Sequence, residues 1–168
     1  SAFYENELTK KFDDQFLFAL TDDQALAIED CKGDLSANRL MERLICGDVG
    51  FGKTEVAMRA CALVTLNEGY KGQICVICPT TLLAQQHFKS FEARFHGFNV
   101  KIAKITRTTT AKERKFIIQQ INCGEIDILI ATHAGFSEEI KFKNLELLII
   151  DEEQHFGVAQ KEKMKERF

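Results

Sequence analysis

Apolar and polar positions follow two rhythms along this chain, and the switches between them mark its elements. Short, mainly apolar runs occur at Leu44-Ile45-Cys46, Gln73 to Cys78, Val100 to Ile105, Ile126 to Ala131 and Leu145 to Ile150. Their length and their polar, Gly or Pro boundaries predict strands. Between them the spacing is helical. Ala84, Phe88, Phe91 and Phe95 recur at i, i+4, i+7 and i+11, which predicts one buried face of a helix opened by Thr80 and Thr81. A helix starting near Glu55 runs to about Asn67, where Gly69 and Gly72 stop it. Thr110 and Glu113 form a capping-box pair before a helix that carries Phe116, Ile117, Gln120 and Ile121 and ends at Gly124. Thr21 and Gln24 form another, opening a helix through Ala25, Ile28 and Glu29, with a polar turn expected over Gly33 to Asn38. A charged helical segment closes the chain.

Strands alternating with helices predict an α/β fold with a mainly parallel sheet and helices on both faces. The unbroken run Leu147-Leu148-Ile149-Ile150 suits a strand buried on both sides. The expected division is a lead-in segment over 1–20 and one domain over 21–168. No repeats, low-complexity tracts or linkers interrupt it.

Composition narrows the classes. A chain of 168 residues with 45% hydrophobic and 28% charged positions can bury a proper core. No apolar run is long enough to cross a bilayer, and no leader-like pattern opens the chain, so the expectation is a cytoplasmic protein without a membrane partner. The six cysteines lie mostly among apolar neighbours. Cys75 and Cys78 have C-x-x-C spacing, but an offset of three along a strand puts them on opposite faces. No second Cys/His pair completes a zinc set, so free, buried thiols are expected. A net charge of −3 does not suit a protein that coats nucleic acid nonspecifically. Any nucleic-acid contact must be local.

The chemistry begins at Gly47-Asp48-Val49-Gly50-Phe51-Gly52-Lys53-Thr54, which fits G-x-x-x-x-G-K-[ST]. The apolar run before it and the helix-forming segment after it supply the strand–loop–helix setting this pattern needs. The glycines let the backbone wrap a phosphate chain, and the N–H groups at the helix start point at the anion. Lys53 would reach the β- and γ-phosphates, and the Thr54 hydroxyl would hold Mg²⁺. A second anchor, Asp151-Glu152-Glu153-Gln154, directly follows the last predicted strand. Ligands of parallel sheets bind beyond the carboxyl ends of the strands. There Asp151 would hold Mg²⁺ and Glu152 would orient or deprotonate the water attacking a γ-phosphate.

These residues carry a family resemblance. Asp-Glu-x-Gln after a buried strand, with a phosphate loop upstream, resembles the first RecA-like lobe of a superfamily 2 helicase or translocase, a P-loop NTPase domain. Pro79-Thr80-Thr81-Leu82-Leu83-Ala84-Gln85-Gln86-His87 is similar to motif Ia, and Ile130-Ala131-Thr132-His133 to motif Ib. Phe16 with Thr21 and Gln24 resembles the upstream glutamine motif. The wording from Gly47 to Ala57, Gly124 to Asp127, and Leu147 to Gln154 followed by Phe156-Gly157-Val158 is similar to bacterial transcription-repair coupling factors. The resemblance covers about residues 16 to 165. RecG-type fork helicases share part of this wording, but usually read Gln-His where this chain has Glu153-Gln154. Two further departures are Asp22 in place of a usual proline and His155 in place of a usual arginine.

The resemblance implies ATP and Mg²⁺ as cofactors and double-stranded DNA as a partner. It implies that Gln24 reads adenine with Phe16 packed nearby, although a capping glutamine needs no ligand. It implies that Thr80, Thr81, Thr132 and His133 touch phosphates of one DNA strand, a role compatible with helix capping. Arg107 is a further phosphate contact or a plain surface arginine. Gln154 would couple nucleotide state to DNA grip. Of the motor's parts, the second RecA-like lobe and its arginine finger lie beyond Phe168, so the chain alone is expected to bind Mg-ATP weakly and turn it over negligibly. RNA polymerase and excision-repair proteins would be engaged through other domains. A docking module has no use for intact Lys53, Thr54, Asp151 and Glu152, and a metabolite kinase would need a substrate lid that is not apparent.

Overall fold

The computed structural model describes residues 2–36, 44–47, 53–67 and 69–151. Within them ten elements follow one another: α1 (Glu7–Asp14), α2 (Asp22–Ser36), β1 (Leu44–Gly47), α3 (Lys53–Thr65), β2 (Gln73–Cys78), α4 (Thr81–Arg94), β3 (Ile102–Ile105), α5 (Ala111–Asn122), β4 (Ile128–Thr132) and β5 (Leu145–Asp151). The strands form one sheet in the order β1-β5-β2-β4-β3, and every adjacent pair is parallel. The predicted fold class stands.

Strand alternation divides the core into two layers. Ile74, Val76, Cys78, Ile128, Ile130, Leu147 and Ile149 face one side, where they pack with residues of α1 to α4. Cys75, Ile77, Leu129, Ala131, Leu148 and Ile150 face the other, with Ile118 and Ile121 of α5 and with Ile140. Cys75 and Cys78 therefore do lie on opposite faces of β2, as the offset of three requires. Gln73 is a buried polar residue with its amide satisfied. It donates to the Ile121 and Ile126 carbonyls and accepts from the Asn144 amide, pinning the start of β2 to its neighbours.

The predicted caps largely form. Thr21 N–H donates to Gln24 Oε1 and Gln24 N–H donates to Thr21 Oγ1, completing that capping box. Thr110 caps α5 by accepting from the Glu113 amide. Gly124 takes φ +87 immediately past α5, the left-handed conformation that ends a helix at little cost to glycine.

Three expectations need correction. The 1–20 lead-in contains α1, whose capping box uses Asn6 and Thr9 rather than a Ser/Thr–Glu/Gln pair. The helix α2 does not stop at a turn beginning with Gly33 but continues to Ser36, because Leu35 adds a further buried contact to the core. Cys123 is exposed, unlike the buried Cys31, Cys61, Cys75 and Cys78. The loop over Asp48 to Gly52 and the closing helical segment after Asp151 lie outside the described residues.

Candidate nucleotide and nucleic-acid site

Strand register lines up the predicted chemistry along one edge of the sheet. Gly47, the last residue of β1, is level with Asp151, the last of β5. Ile77 pairs with Ile150, so Cys78 and the Pro79-Thr80 segment that follows it emerge beside Asp151. Cys78 in turn pairs with Thr132, and Ile105 with Ala131. The ends of all five strands thus form one row about 20 Å long, given strand spacings near 4.8 Å. The phosphate-loop and acidic strands occupy one side of that row. The strands leading to Thr80, Thr132 and Arg107 occupy the other.

Lys53 opens α3, and Thr54 lies in its first turn, half-buried. Asp151 is 1% exposed and therefore needs a partner for its charge. Among its contacts, Asp151 Oδ2 lies 2.5 Å from Nε2 of His87, a buried residue of α4. Cys78, His87 and Asp151 each offer a ligand atom within 4.8 Å of the others. A metal bridging His87 and Asp151 at bond lengths of about 2.0–2.1 Å would hold nitrogen and oxygen roughly 3.3 Å apart. The contact is too short for that and is a hydrogen bond. For Mg²⁺, which prefers oxygen donors and few of them from protein, a strand-end carboxylate and a helix-start hydroxyl are a suitable set. Asp151 and Thr54 fit it.

Behind the phosphate-loop helix lies a cluster that sequence reasoning missed. Glu55, 6% exposed, accepts from Arg59 one turn along α3 and from the forked guanidinium of Arg94 on α4. Arg59 also lies 3.7 Å from Asp13 of α1 and 5.6 Å from the Phe16 ring centroid. Arg94 stacks at 3.8 Å over Phe12. Burial raises the Asp13 carboxyl above its ordinary range, with Arg59 and then Lys32 opposing it. The only local hint was the i, i+4 pair Glu55–Arg59. Its partners Asp13 and Arg94 are far away in sequence.

On the other side of the row, Thr80 is exposed and caps α4, its hydroxyl accepting from the Leu83 amide. Thr132 is buried, and its hydroxyl accepts from the Gly135 amide. Gly135 packs so closely on β3 that an added Cβ would meet the Ile105 carbonyl oxygen at 2.5 Å. His133 is half-buried beside it. After β3, Thr106, Thr108 and Thr109 bond to one another in a tight turn that leaves Arg107 exposed. Phe16 and Gln24 are half-buried, and Phe16 meets exposed Phe18 edge-on at 5.7 Å. Asp48 to Gly52, Glu152 and Gln154 lie outside the described residues, as does the Lys53 side chain.

Comparison with known proteins decides the family: the DEAD/DEAH box helicase profile matches residues 21–168. The chain belongs to the DEAD/DEAH box helicases. It is 51% identical over 164 residues to the transcription-repair-coupling factor of Rickettsia conorii, covering 96% of this chain and 14% of that protein. It is 48% identical to the same factor of Haemophilus influenzae, over 97% of this chain and 14% of the relative. The Escherichia coli factor is also 48% identical, over 96% of this chain and 14% of the relative. The chain therefore spans about one seventh of these relatives. A solved structure of RecG bound to a three-way DNA junction superposes with a TM-score of 0.74 and 29% identity, covering 89% of this chain and 23% of that one. This helicase family is ATP-dependent, and the all-parallel sheet fits the RecA-like fold that the family resemblance implied, its order placing β1 beside β5.

Proposed function

We propose that this chain is the nucleotide-binding first lobe of an ATP-driven double-stranded DNA translocase that displaces stalled RNA polymerase in transcription-coupled repair. The observation that carries this reading is the 43–52% identity to transcription-repair-coupling factors across nearly the whole chain. The sheet edge offers a physical route to the activity, with a nucleotide half at β1 and β5 next to a DNA half at β2, β4 and β3.

In this reading the phosphate-loop amides from Gly47 to Thr54 cradle the β- and γ-phosphates, and Lys53 neutralises charge there. Thr54 and Asp151 would hold Mg²⁺, which would neutralise charge building on the phosphate oxygens. Glu152 orients or deprotonates the attacking water. Phe16 and Gln24 bound the adenine, with the Arg59 guanidinium 5.6 Å from the Phe16 ring centroid. Thr80, Thr81, Arg107 and His133 meet phosphates of the DNA, where hydroxyls and cations position a protein without reading sequence, while Thr132, expected to join them, is buried and instead holds the turn at Gly135. Gln154 couples the two halves. A second RecA-like lobe completes the nucleotide site, and RNA polymerase and excision-repair proteins bind through other domains. The protein works in the cytoplasm and has no membrane partner.

The likeness to RecG favours one second reading, a fork-reversing helicase lobe. A stalled transcription complex and a model replication fork separate the two. The full-length protein should release RNA polymerase from the first with ATP and leave the second largely unregressed. Fork regression without polymerase release would support the second reading instead.

A further inference from the structure

We propose that His87 is a positioning residue for the nucleotide site, fixing the orientation of the Asp151 carboxylate through the hydrogen bond to Oδ2. The inference rests on the reading of Asp151 as a Mg²⁺-holding carboxylate. It adds a residue on another element to that machinery.

His87 lies in the second turn of α4, 6% exposed, on the same helix as the fully buried Ala84 and Phe91. Thr80 fixes the start of that helix by capping it, and Arg94 fixes its end through Glu55. The imidazole is thus held by packing rather than by its own conformational preference. Asp151 ends its strand level with Gly47 of β1 and directly follows Ile150, which pairs with Ile77 of β2, so the main freedom left to its carboxylate is rotation about the side chain. A bond of 2.5 Å to a fixed ring restricts that rotation. With the carboxylate ionised, Nε2 carries the proton and donates it. Carboxylates that hold metals are commonly oriented by such outer hydrogen bonds, whose removal lowers metal affinity by about 10–100-fold.

The bond is also in the right place to be useful. It spans from β5, beside the phosphate-loop strand, to the helix that follows β2. A structural role alone would be met by any residue filling the volume of the ring. A positioning role requires a donor at the distance of Nε2, and that difference is testable.

The measurement is equilibrium binding of a fluorescent ADP analogue to the full-length protein, with Mg²⁺ and with EDTA. The variants are His87→Gln, His87→Asn, His87→Phe and Asp151→Asn. Glutamine carries its amide nitrogen about as far out as Nε2, whereas asparagine stops short. The gain in affinity from Mg²⁺ should fall about tenfold or more in His87→Asn and His87→Phe, and stay within about threefold of wild type in His87→Gln. Affinity in EDTA should be equal in the wild type and the three histidine variants. A wild-type Mg²⁺ response in His87→Asn, or equal losses in the glutamine and asparagine variants, would overturn the proposal. Should His87→Phe fail to fold, the comparison of glutamine with asparagine still decides. If Asp151→Asn keeps the full Mg²⁺ response, the reading of Asp151 itself fails. If it loses that response while the histidine variants keep it, only the role of His87 fails.

Discussion

Arg94, in the last turn of α4, grips both carboxylate oxygens of Glu55, at 2.9 Å through Nε and 2.8 Å through Nη2. Glu55 stands two residues beyond Lys53, so the helix that begins at the phosphate loop is anchored by α4 within its first turn. Arg59 adds a third contact at 2.6 Å and extends the cluster to Asp13. Removing Glu55 takes away the carboxylate that Arg94 grips and leaves Arg59 only its longer contact with Asp13. Glu55→Ala should therefore cost about 3–5 kcal/mol of stability, measured by urea unfolding. Arg94→Lys should fail to restore the wild-type value, because an ammonium cannot reproduce the two-pronged contact. A loss below about 1 kcal/mol would place this cluster with ordinary surface pairs.

The thiols should separate sharply by burial. Burial pushes the Cys61 thiol far above its ordinary range, and Cys75 and Cys78 are fully buried within the sheet. Cys123, just past α5, is exposed. Brief alkylation of the native protein at neutral pH, read by peptide mass spectrometry, should modify Cys123 well before those three. Early labelling of Cys61 would contradict the packing of α3.

Asp127 supplies a pH signature. Burial raises its carboxyl above the ordinary 3.8, opposed by the Lys101 amide that donates to it at 2.8 Å and then by Lys71 nearby. A raised folded pKa means that the fold favours the protonated form. That stabilisation is complete below the unfolded value and is lost as pH rises through the folded one. The stability difference between wild type and Asp127→Asn should thus shift toward the asparagine variant as pH climbs from 3.8 through the raised value. Carbon-detected NMR titration should place the Asp127 midpoint above 3.8, and a midpoint at or below it would refute the assignment.

Local signals in the sequence sufficed where the physics was local. Strand runs at Gln73 to Cys78 and Leu145 to Ile150, the caps at Thr21, Thr80 and Thr110, and the stop at Gly124 all rest on neighbours a few residues apart. The helix α1 escaped because Asn6 and Thr9 form an unusual capping box. Ser36 rather than Gly33 ends α2 because Leu35 gains a tertiary contact. The phosphate loop and the acid pair were legible as motifs. That their two strands, β1 and β5, are neighbours was not, since it depends on strand order. His87 shows the same limit. Helical spacing offered Ala84, Phe88, Phe91 and Phe95 as a core face, and nothing in that pattern reveals a hydrogen bond to a residue 64 positions away.

The central claim, that this chain is the nucleotide-binding lobe of a DNA motor, is tested most directly by steady-state ATP hydrolysis. The full-length protein should be assayed with and without linear double-stranded DNA, as wild type, Lys53→Ala and Asp151→Asn. DNA should accelerate the wild type, and each substitution should lower the stimulated rate by about a hundredfold or more, as expected when a charge-stabilising group is removed. A rate indifferent to DNA, or one that survives Lys53→Ala, would contradict the account.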